Sequence, residues 1–113
     1  MLQGQYRLKK NRDFKKVFSH GKAIPSKFIV VYFRRNESER LRIGFSVSKK
    51  LGGAVVRNRI KRVLREVVRK HVTEIVPGLD LVFIARNSIR GKKSTEVEVF
   101  LMKLLDKHKL LRR

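Results

Sequence analysis

The stretch FSVSKKLGGAVVRNRIKRVLR, which spans Phe45 to Arg65, decides the fold of this chain. It predicts the end of a strand, a turn built on Lys-Lys and Gly-Gly, and a long helix from about Ala54 to about Val72. At about 100° per residue, two stripes separate on this helix. An apolar stripe, predicted to be buried, contains Val56, Ile60, Val63, Leu64, Val67 and His71. A cationic stripe beside it contains Arg57, Asn58, Lys61, Arg62, Arg65 and Arg69.

The cationic stripe has the chemistry of a phosphate-binding surface. Most of its members are arginines, whose planar guanidinium group matches phosphate oxygens bidentately. Gly52 and Gly53 are expected to leave backbone N–H groups free near the helix start, where the helix dipole also favours an anion. An ordinary solvated face is the alternative, but only Glu66 offsets the like charges on this helix. The pattern therefore favours an anionic partner.

Composition points to the same class of partner. The 113 residues include 30 Lys and Arg against 9 Asp and Glu, so the formal net charge is +21. Such an excess repels itself in the folded state unless a polyanion neutralises it; nucleic acid is the first candidate and an anionic membrane surface the second. The sequence has no apolar run of membrane-spanning length, no signal-peptide pattern and no cysteine. We expect a cytoplasmic protein.

The remaining patterns predict one small α+β domain over residues 1–113, with loose basic ends at 1–10 and 107–113. A first helix begins near Asn11, carries Phe14, Val17 and Phe18 on one side and closes at Gly21. A last helix is expected to start with a capping box formed by Thr95 and Glu98. Strands are predicted over 28–33, 41–48 and 79–85, so the elements form an α-β sandwich around a small sheet.

Two of these strands have faces that suggest a nucleic-acid surface. Phe28, Val30 and Tyr32 are predicted to share one face of their strand, which is either core or a partly open platform for stacking bases. In the next strand, Leu41, Ile43, Phe45 and Val47 are predicted to point inward, and Arg42, Gly44, Ser46 and Ser48 outward. Such a small, hydroxylic outward face would let a phosphate-sugar backbone approach closely; a solvated sheet face is the alternative.

No catalytic or metal-ligating group is predicted in the polypeptide. The nine acidic residues are scattered singly, whereas a two-metal nuclease needs carboxylates that converge on ions about 4 Å apart. The three histidines fall on different predicted helices, and His71 is expected to be a hydrogen-bonded core residue. The residues alone therefore indicate nucleic-acid binding without catalysis. A small protein of ribosomal type fits them, and a basic protein of the membrane surface fits them less well.

The segment from Gly44 to Lys50, continued by VRNRIKR at Val56–Arg62, resembles the protein subunit of bacterial ribonuclease P. The resemblance extends to Arg12-Asp13-Phe14 with Val17-Phe18 in the first helix and to LDLVFIAR at Leu79–Arg86 in the last strand. It covers roughly residues 6–105. It implies the element order αβββαβα with a left-handed βαβ crossover, against the usual hand.

The same resemblance implies a function. The partner would be the catalytic ribonuclease P RNA, and the holoenzyme would remove the 5′ leader of precursor tRNA by Mg²⁺-dependent phosphodiester hydrolysis. The RNA would supply the catalytic centre and, with the substrate, hold the Mg²⁺. The polypeptide alone would not be catalytic. It would be monomeric, bind the RNA 1:1, hold the leader and have no membrane partner.

Site residues follow from the match residue by residue. The RNA-binding set comprises Lys49, Lys50, Arg57, Asn58, Arg59, Lys61, Arg62, Arg65 and Arg69. The leader cleft comprises Phe14, Phe18, Val30, Tyr32, Ser46 and Ser48. One departure is Gly53, where the family usually has Asn; the loss of that capping side chain is expected to cost a few tenths of a kcal/mol.

Overall fold

Three helices and one four-stranded sheet make up the fold in the computed structural model, which describes residues 4–112. The elements are α1 (Asn11–His20), β1 (Lys22–Ile24), β2 (Ile29–Arg35), β3 (Arg42–Ser46), α2 (Ala54–His71), β4 (Leu79–Ala85) and α3 (Ser94–Lys107). This is the predicted α+β class with the predicted order αβββαβα. No helix within residues 4–112 combines the length and apolar character needed to cross a membrane.

The sheet has the strand order β1-β2-β4-β3. Strand β2 is antiparallel to both of its neighbours, whereas β3 and β4 are parallel. Parallel neighbours need a crossover connection, and α2 provides it. The short β1 lies at the sheet edge and ends directly before Pro25, which lacks the N–H that a central strand would need. The handedness of the crossover stays a prediction.

Helices α2 and α3 cover one face of the sheet and form the main core. On α2 the fully buried residues are Ile60, Leu64, Val67 and Val68, while Val56 and Val63 are half-buried against the same core. The prediction for this helix was therefore accurate to one residue at its end, although it missed Val68. From β3 and its flanks, Leu41, Ile43, Phe45 and Val47 all face this core, as predicted.

Phe28 was predicted on the wrong face. It precedes β2 and packs against the main core, with its ring 4.8 Å from that of Phe100 in an edge-to-face arrangement. Alternation along a strand fixes side-chain direction only where the backbone is paired in the sheet. Strand β2 begins at Ile29, one residue after Phe28, and the side chain of Phe28 packs toward α3. Val30 and Tyr32 keep the predicted direction.

The two ends are not loose where the structure describes them. Leu8 is only 6% exposed, and its backbone N–H donates to the carbonyl of Ile43 at 2.8 Å. At the other end, Leu110 is buried and Leu111 forms an antiparallel bridge with Ile75. Apolar residues among the cations anchor both segments. Residues 1–3 and 113 lie outside the described part of the chain.

The capping box predicted for α3 is also wrong. The helix begins at Ser94, and Glu96 accepts a hydrogen bond from the backbone N–H of Lys93 at 3.4 Å. Glu98 instead reaches across to α2, where its Oε2 lies 2.6 Å from Nε2 of His71. Glu74 contacts the other ring nitrogen of the same histidine. His71 is thus hydrogen-bonded as expected, but it is half-buried and joins α2 to α3.

This arrangement raises the pKa of His71. Burial of the imidazole lowers the pKa, but the hydrogen bonds that its ring N–H groups donate to Glu98 and Glu74, and the attraction of their charges, outweigh it. The same contact with His71 lowers the pKa of the Glu98 carboxyl. A raised pKa means that the folded state holds the proton more tightly than the unfolded state. The resulting stabilisation is complete below the usual imidazole pKa of about 6.5 and is lost as the pH rises through the raised value.

We therefore expect the stability advantage of the wild-type protein over His71→Gln to shrink as the pH rises above about 6.5. Urea denaturation at a series of pH values measures it. His20→Gln, at an exposed position on α1, is the control. If both variants showed the same trend with pH, the contact of His71 with Glu98 would not be its source.

Candidate nucleic-acid interface

The sheet face opposite the main core carries three cross-strand rows, defined by the registers of β2, β4 and β3. The central row is Tyr32, Val82 and Gly44. Helix α1 covers this row, with Val17 and Val82 both fully buried between helix and sheet. A Cβ atom on Gly44 would lie 2.5 Å from the ring of Phe14, so this glycine allows the ring to rest on the strand. The space beside Gly44, where a phosphate-sugar backbone was expected to approach, is therefore occupied by the ring of Phe14.

The cross-strand row next to the central row is only partly covered. Val30 and Ser46 flank Ile84 in the sheet register, and all three are half-buried. At its border, the ring of Phe18 stands edge-to-face on Tyr32 with centroids 5.0 Å apart and remains 41% exposed. We call the surface formed by Phe14, Phe18, Val30, Tyr32 and Ser46 the aromatic cleft. The structure brings these five predicted residues together on one face.

Ser48, the sixth residue predicted for this cleft, has another position. Strand β3 ends at Ser46, and Ser48 precedes a 3₁₀ turn at Lys49–Leu51. Its Oγ accepts a hydrogen bond from the backbone N–H of Lys50 at 3.2 Å, so it caps that turn. Lys49 and Lys50 are exposed on the turn, between the end of the cleft and the start of α2.

The third row is polar and was not predicted. Asp80, only 1% exposed, lies between Arg34 and Arg42 in the register. Arg42 binds it bidentately, with Nε at 2.9 Å and Nη2 at 2.8 Å from its carboxylate oxygens. Nη1 of Arg42 also lies 3.4 Å from Oδ2 of Asp13 in the first turn of α1. This pairing ties α1 to the sheet. The hydrogen bond to Asp80, opposed by burial and aided by both carboxylate charges, raises the pKa of Arg42.

The cationic stripe of α2 remains accessible along most of its length. Asn58 and Arg62 are exposed, Lys61 and Arg65 are half-buried, and these four line a shallow depression of about 440 Å³ together with Glu66. Arg57 is half-buried at the start of the stripe. We call Arg57, Asn58, Lys61, Arg62 and Arg65 the cationic face.

Two predicted cations stand apart from this face. Nη2 of Arg69 lies 3.0 Å from Oε2 of Glu66, and this hydrogen bond with its charge lowers the pKa of the Glu66 carboxyl. Arg69 is therefore already paired within the helix. Arg59 is exposed on another side of α2, where it lines a small crevice with Ile89 and Lys92.

The turn that enters α2 explains its geometry and corrects one expectation. Gly52 has φ = 142°, a conformation that other residues rarely adopt, and its N–H donates to the carbonyl of Lys49 at 3.2 Å. That N–H is thus not available to an anion. Gly53 is the N-cap of α2, and its backbone carbonyl accepts the helix bond from Arg57 at 3.0 Å.

Within residues 4–112, no three His, Cys, Asp or Glu side chains converge in a way that could hold a metal ion. Two pairs of carboxylates, Asp13 with Asp80 and Glu74 with Glu98, each share one basic partner, which is Arg42 for the first pair and His71 for the second. The geometry instead combines a cationic helix face, a lysine-bearing turn and an open aromatic cleft. It defines a small α+β protein whose surface suits a polyanion.

Comparison with known proteins identifies the family. A sequence model described as Ribonuclease P matches residues 2–109. The ribonuclease P protein component of Clostridioides difficile strain 630 is 42% identical over 99 residues, which cover 87% of each chain. That of Alkaliphilus metalliredigens is 40% identical over 110 residues, 97% of this chain and 99% of the relative.

Solved structures agree with these sequence relatives. The Staphylococcus aureus RNase P protein superposes with a TM-score of 0.86 at 37% identity, covering 95% of this chain and 98% of that one. The Thermotoga maritima protein gives 0.82 at 34% identity, covering 89% and 96%. The chain belongs to the bacterial ribonuclease P protein family, which confirms the resemblance and decides against the ribosomal and membrane-surface alternatives.

The contact of Phe14 with Gly44 can be tested directly. We expect Gly44→Ala to lower the free energy of unfolding by about 1–3 kcal/mol, since the added methyl group displaces a ring in a packed site. Gly53→Ala is the control, because a Cβ there meets nothing within 4 Å. Chemical denaturation of both variants measures the difference. Equal losses would show that the cost at position 44 is not the collision with Phe14.

Proposed function

We propose that this protein is the RNA-binding subunit of a ribonuclease P ribonucleoprotein that removes the 5′ leader of precursor tRNA. The observation that carries the proposal is the adjacency of two unlike surfaces. Strand β3 ends in the open row of the aromatic cleft, and eight residues later the chain begins the helix that carries the cationic face. One surface suits unpaired bases and the other suits phosphates.

The cationic face would bind the catalytic RNA. Its arginines can hold phosphate oxygens bidentately, and Asn58 can both donate and accept a hydrogen bond. Lys49 and Lys50, exposed on the preceding turn, extend the same charge toward the cleft. Arg69 would contribute less than predicted, because binding RNA would first require it to leave Glu66.

The aromatic cleft would hold the single-stranded leader. The exposed edge of Phe18 offers an apolar contact beside Tyr32, and base–aromatic stacking tolerates any sequence because every base has a π-face. Ser46 lies at the cleft end nearest the cationic turn, where its hydroxyl can contact the sugar-phosphate backbone. Ser48 would act indirectly, by capping the turn that carries the lysines.

Bond cleavage would belong to the RNA. The RNA subunit and the substrate would hold the Mg²⁺ on which hydrolysis depends, and this chain would contribute binding and orientation. We expect a monomeric protein that assembles 1:1 with its RNA in the cytoplasm. Neutralisation of RNA phosphates by a chain of net charge +21 would also lower the Mg²⁺ concentration that the RNA needs.

Reconstitution tests this function. Addition of the protein to its cognate ribonuclease P RNA at low Mg²⁺ should restore cleavage of precursor tRNA. Arg65→Gln should weaken RNA binding and reduce the slope of log affinity against log salt by about 0.7–0.9, the value for one phosphate contact. Lys107→Gln, an exposed cation at the end of α3, is the control. A protein that rescues cleavage no better than an unrelated protein of similar charge would sink the proposal.

Phe18→Ala tests the cleft separately. It should weaken binding of leader-bearing precursor tRNA by about 1–3 kcal/mol if the ring stacks a base, and leave the affinity for mature tRNA unchanged. Binding of both RNAs to the reconstituted holoenzyme measures the difference. Val55→Ala, on an 84% exposed side chain of α2, is a matched control for loss of apolar surface. Equal losses for the two RNAs would show that Phe18 serves only to pack α1.

A further inference from the structure

We infer that Lys27 and Lys92, held around the ring of Phe28, form a second phosphate-binding surface for the backbone of the partner RNA. This inference rests on the proposed function and extends it to a part of the chain outside both the cationic face and the aromatic cleft. Lys27 lies just before β2, and Lys92 lies in the loop between β4 and α3.

The two lysines are held in place by one aromatic ring. Nζ of Lys27 lies 5.4 Å from the centroid of Phe28 and Nζ of Lys92 lies 5.2 Å from it, both within cation–π range. Phe28 is itself fixed by Phe100 of α3. Long lysine side chains normally lose much rotamer freedom when they bind a phosphate. Here part of that freedom is already lost in the free protein.

Hydrogen bonds to backbone carbonyl groups join the two segments that carry these lysines. The hydroxyl of Ser88 donates to the carbonyl of Lys27, and Nη1 of Arg86 donates to that of Ser26 at 3.0 Å. The backbone N–H of Arg86 donates to the carbonyl of Phe28 at 2.9 Å. The entry to β2 and the loop after β4 thus form one unit, and the spacing of the two ammonium groups follows from the fold.

The charge around this unit is unbalanced. Cations come from Lys27, Arg86, Arg90, Lys92 and Lys93, and among residues 4–112 the acidic side chain that contacts this group is Glu96. Glu96 lies 4.0 Å from Nζ of Lys92 and also accepts from the backbone N–H of Lys93. Neighbouring like charges destabilise the fold unless an anion lies between them, and a phosphodiester backbone supplies such anions in series.

The position of this surface favours the partner RNA over the leader as its ligand. Arg59 belongs to the predicted RNA-binding set but lies on another side of α2 from the cationic face. There it lines a crevice with Lys92. Positive charge therefore continues from α2 to the loop after β4. The aromatic cleft lies on the opposite face of the sheet, since Phe28 packs with the main core and Phe18 of α1 packs on Tyr32. An RNA strand on Lys27 and Lys92 is thus distinct from a leader in the cleft.

The test compares two double variants in the full-length protein. Lys27→Gln with Lys92→Gln should weaken binding to the ribonuclease P RNA and reduce the salt slope by about 1.4–1.8, the value for two phosphate contacts. Lys103→Gln with Lys107→Gln removes the same charge from exposed positions on α3 and should change the slope much less. Arg65→Gln is measured alongside as a reference for the cationic face.

The outcomes separate the two levels of the proposal. If Arg65→Gln weakens RNA binding and Lys27→Gln with Lys92→Gln acts no more strongly than the α3 control, the second surface does not exist and the proposed function stands. If the wild-type protein fails to bind the ribonuclease P RNA, both the second surface and the proposed function are wrong. If the loss appears only for leader-bearing precursor tRNA in the holoenzyme, the surface belongs to the leader and the assignment is wrong. Equal loss with and without a leader supports it.

Discussion

The parallel pairing of β3 with β4 is the constraint on which the rest of the structure depends. These strands are neighbours in the sheet but are separated in the chain by α2, so this helix has to return the chain across one face. Its apolar stripe then packs on the sheet, and its cationic stripe is left at the side. The opposite face receives α1, which is too short to cover it fully. The cationic face and the aromatic cleft both follow from this one topological choice.

The register of that pairing also decides where the few acidic residues act. Asp80 falls beside Arg42, and Asp13 on α1 reaches the same guanidinium group. Such a pair adds little net stability, but removal of Arg42 is costly because it leaves the buried Asp80 charge without its counter-ion, so the pair fixes register and helix position. Glu74 and Glu98 are likewise engaged with His71. On α2 only Glu66 remains to offset the cations, which leaves most of their charge for a partner.

The sequence predicted best what local chemistry determines. Gly52-Gly53 and Pro77-Gly78 bound α2, its apolar spacing is regular, and its limits were accordingly correct to one residue. Alternation from Leu41 to Val47 likewise gave the correct inward face. Failures occurred where a distant partner decides the outcome. Glu98 forms a hydrogen bond with His71 instead of capping its own helix. Gly44 is covered by the ring of Phe14 instead of being exposed to solvent.

One missed feature did leave a signal in the sequence. Asp80 is the single charge within the apolar strand LDLVFIA, and charged side chains are rarely buried without a partner. That position therefore requires a cation on a neighbouring strand, although only the register identifies it as Arg42. The half-exposed state of Phe18 left no such signal, because it depends on how far α1 extends along the sheet. Periodicity gives the side of a helix on which a ring lies, but not where the covering layer ends.

Folding and RNA binding place opposite demands on the same charges. A net charge of +21 in a compact body with a radius of gyration of 13.1 Å repels itself, and salt relieves that repulsion. Salt also weakens every phosphate contact. The conditions that favour the isolated fold are therefore those that disfavour the complex. Because a partner that binds only the folded state stabilises it by mass action, the polyanion becomes part of what holds the protein together. On the proposed function, the open row of the cleft and the lysines held around Phe28 are surfaces that the RNA would cover.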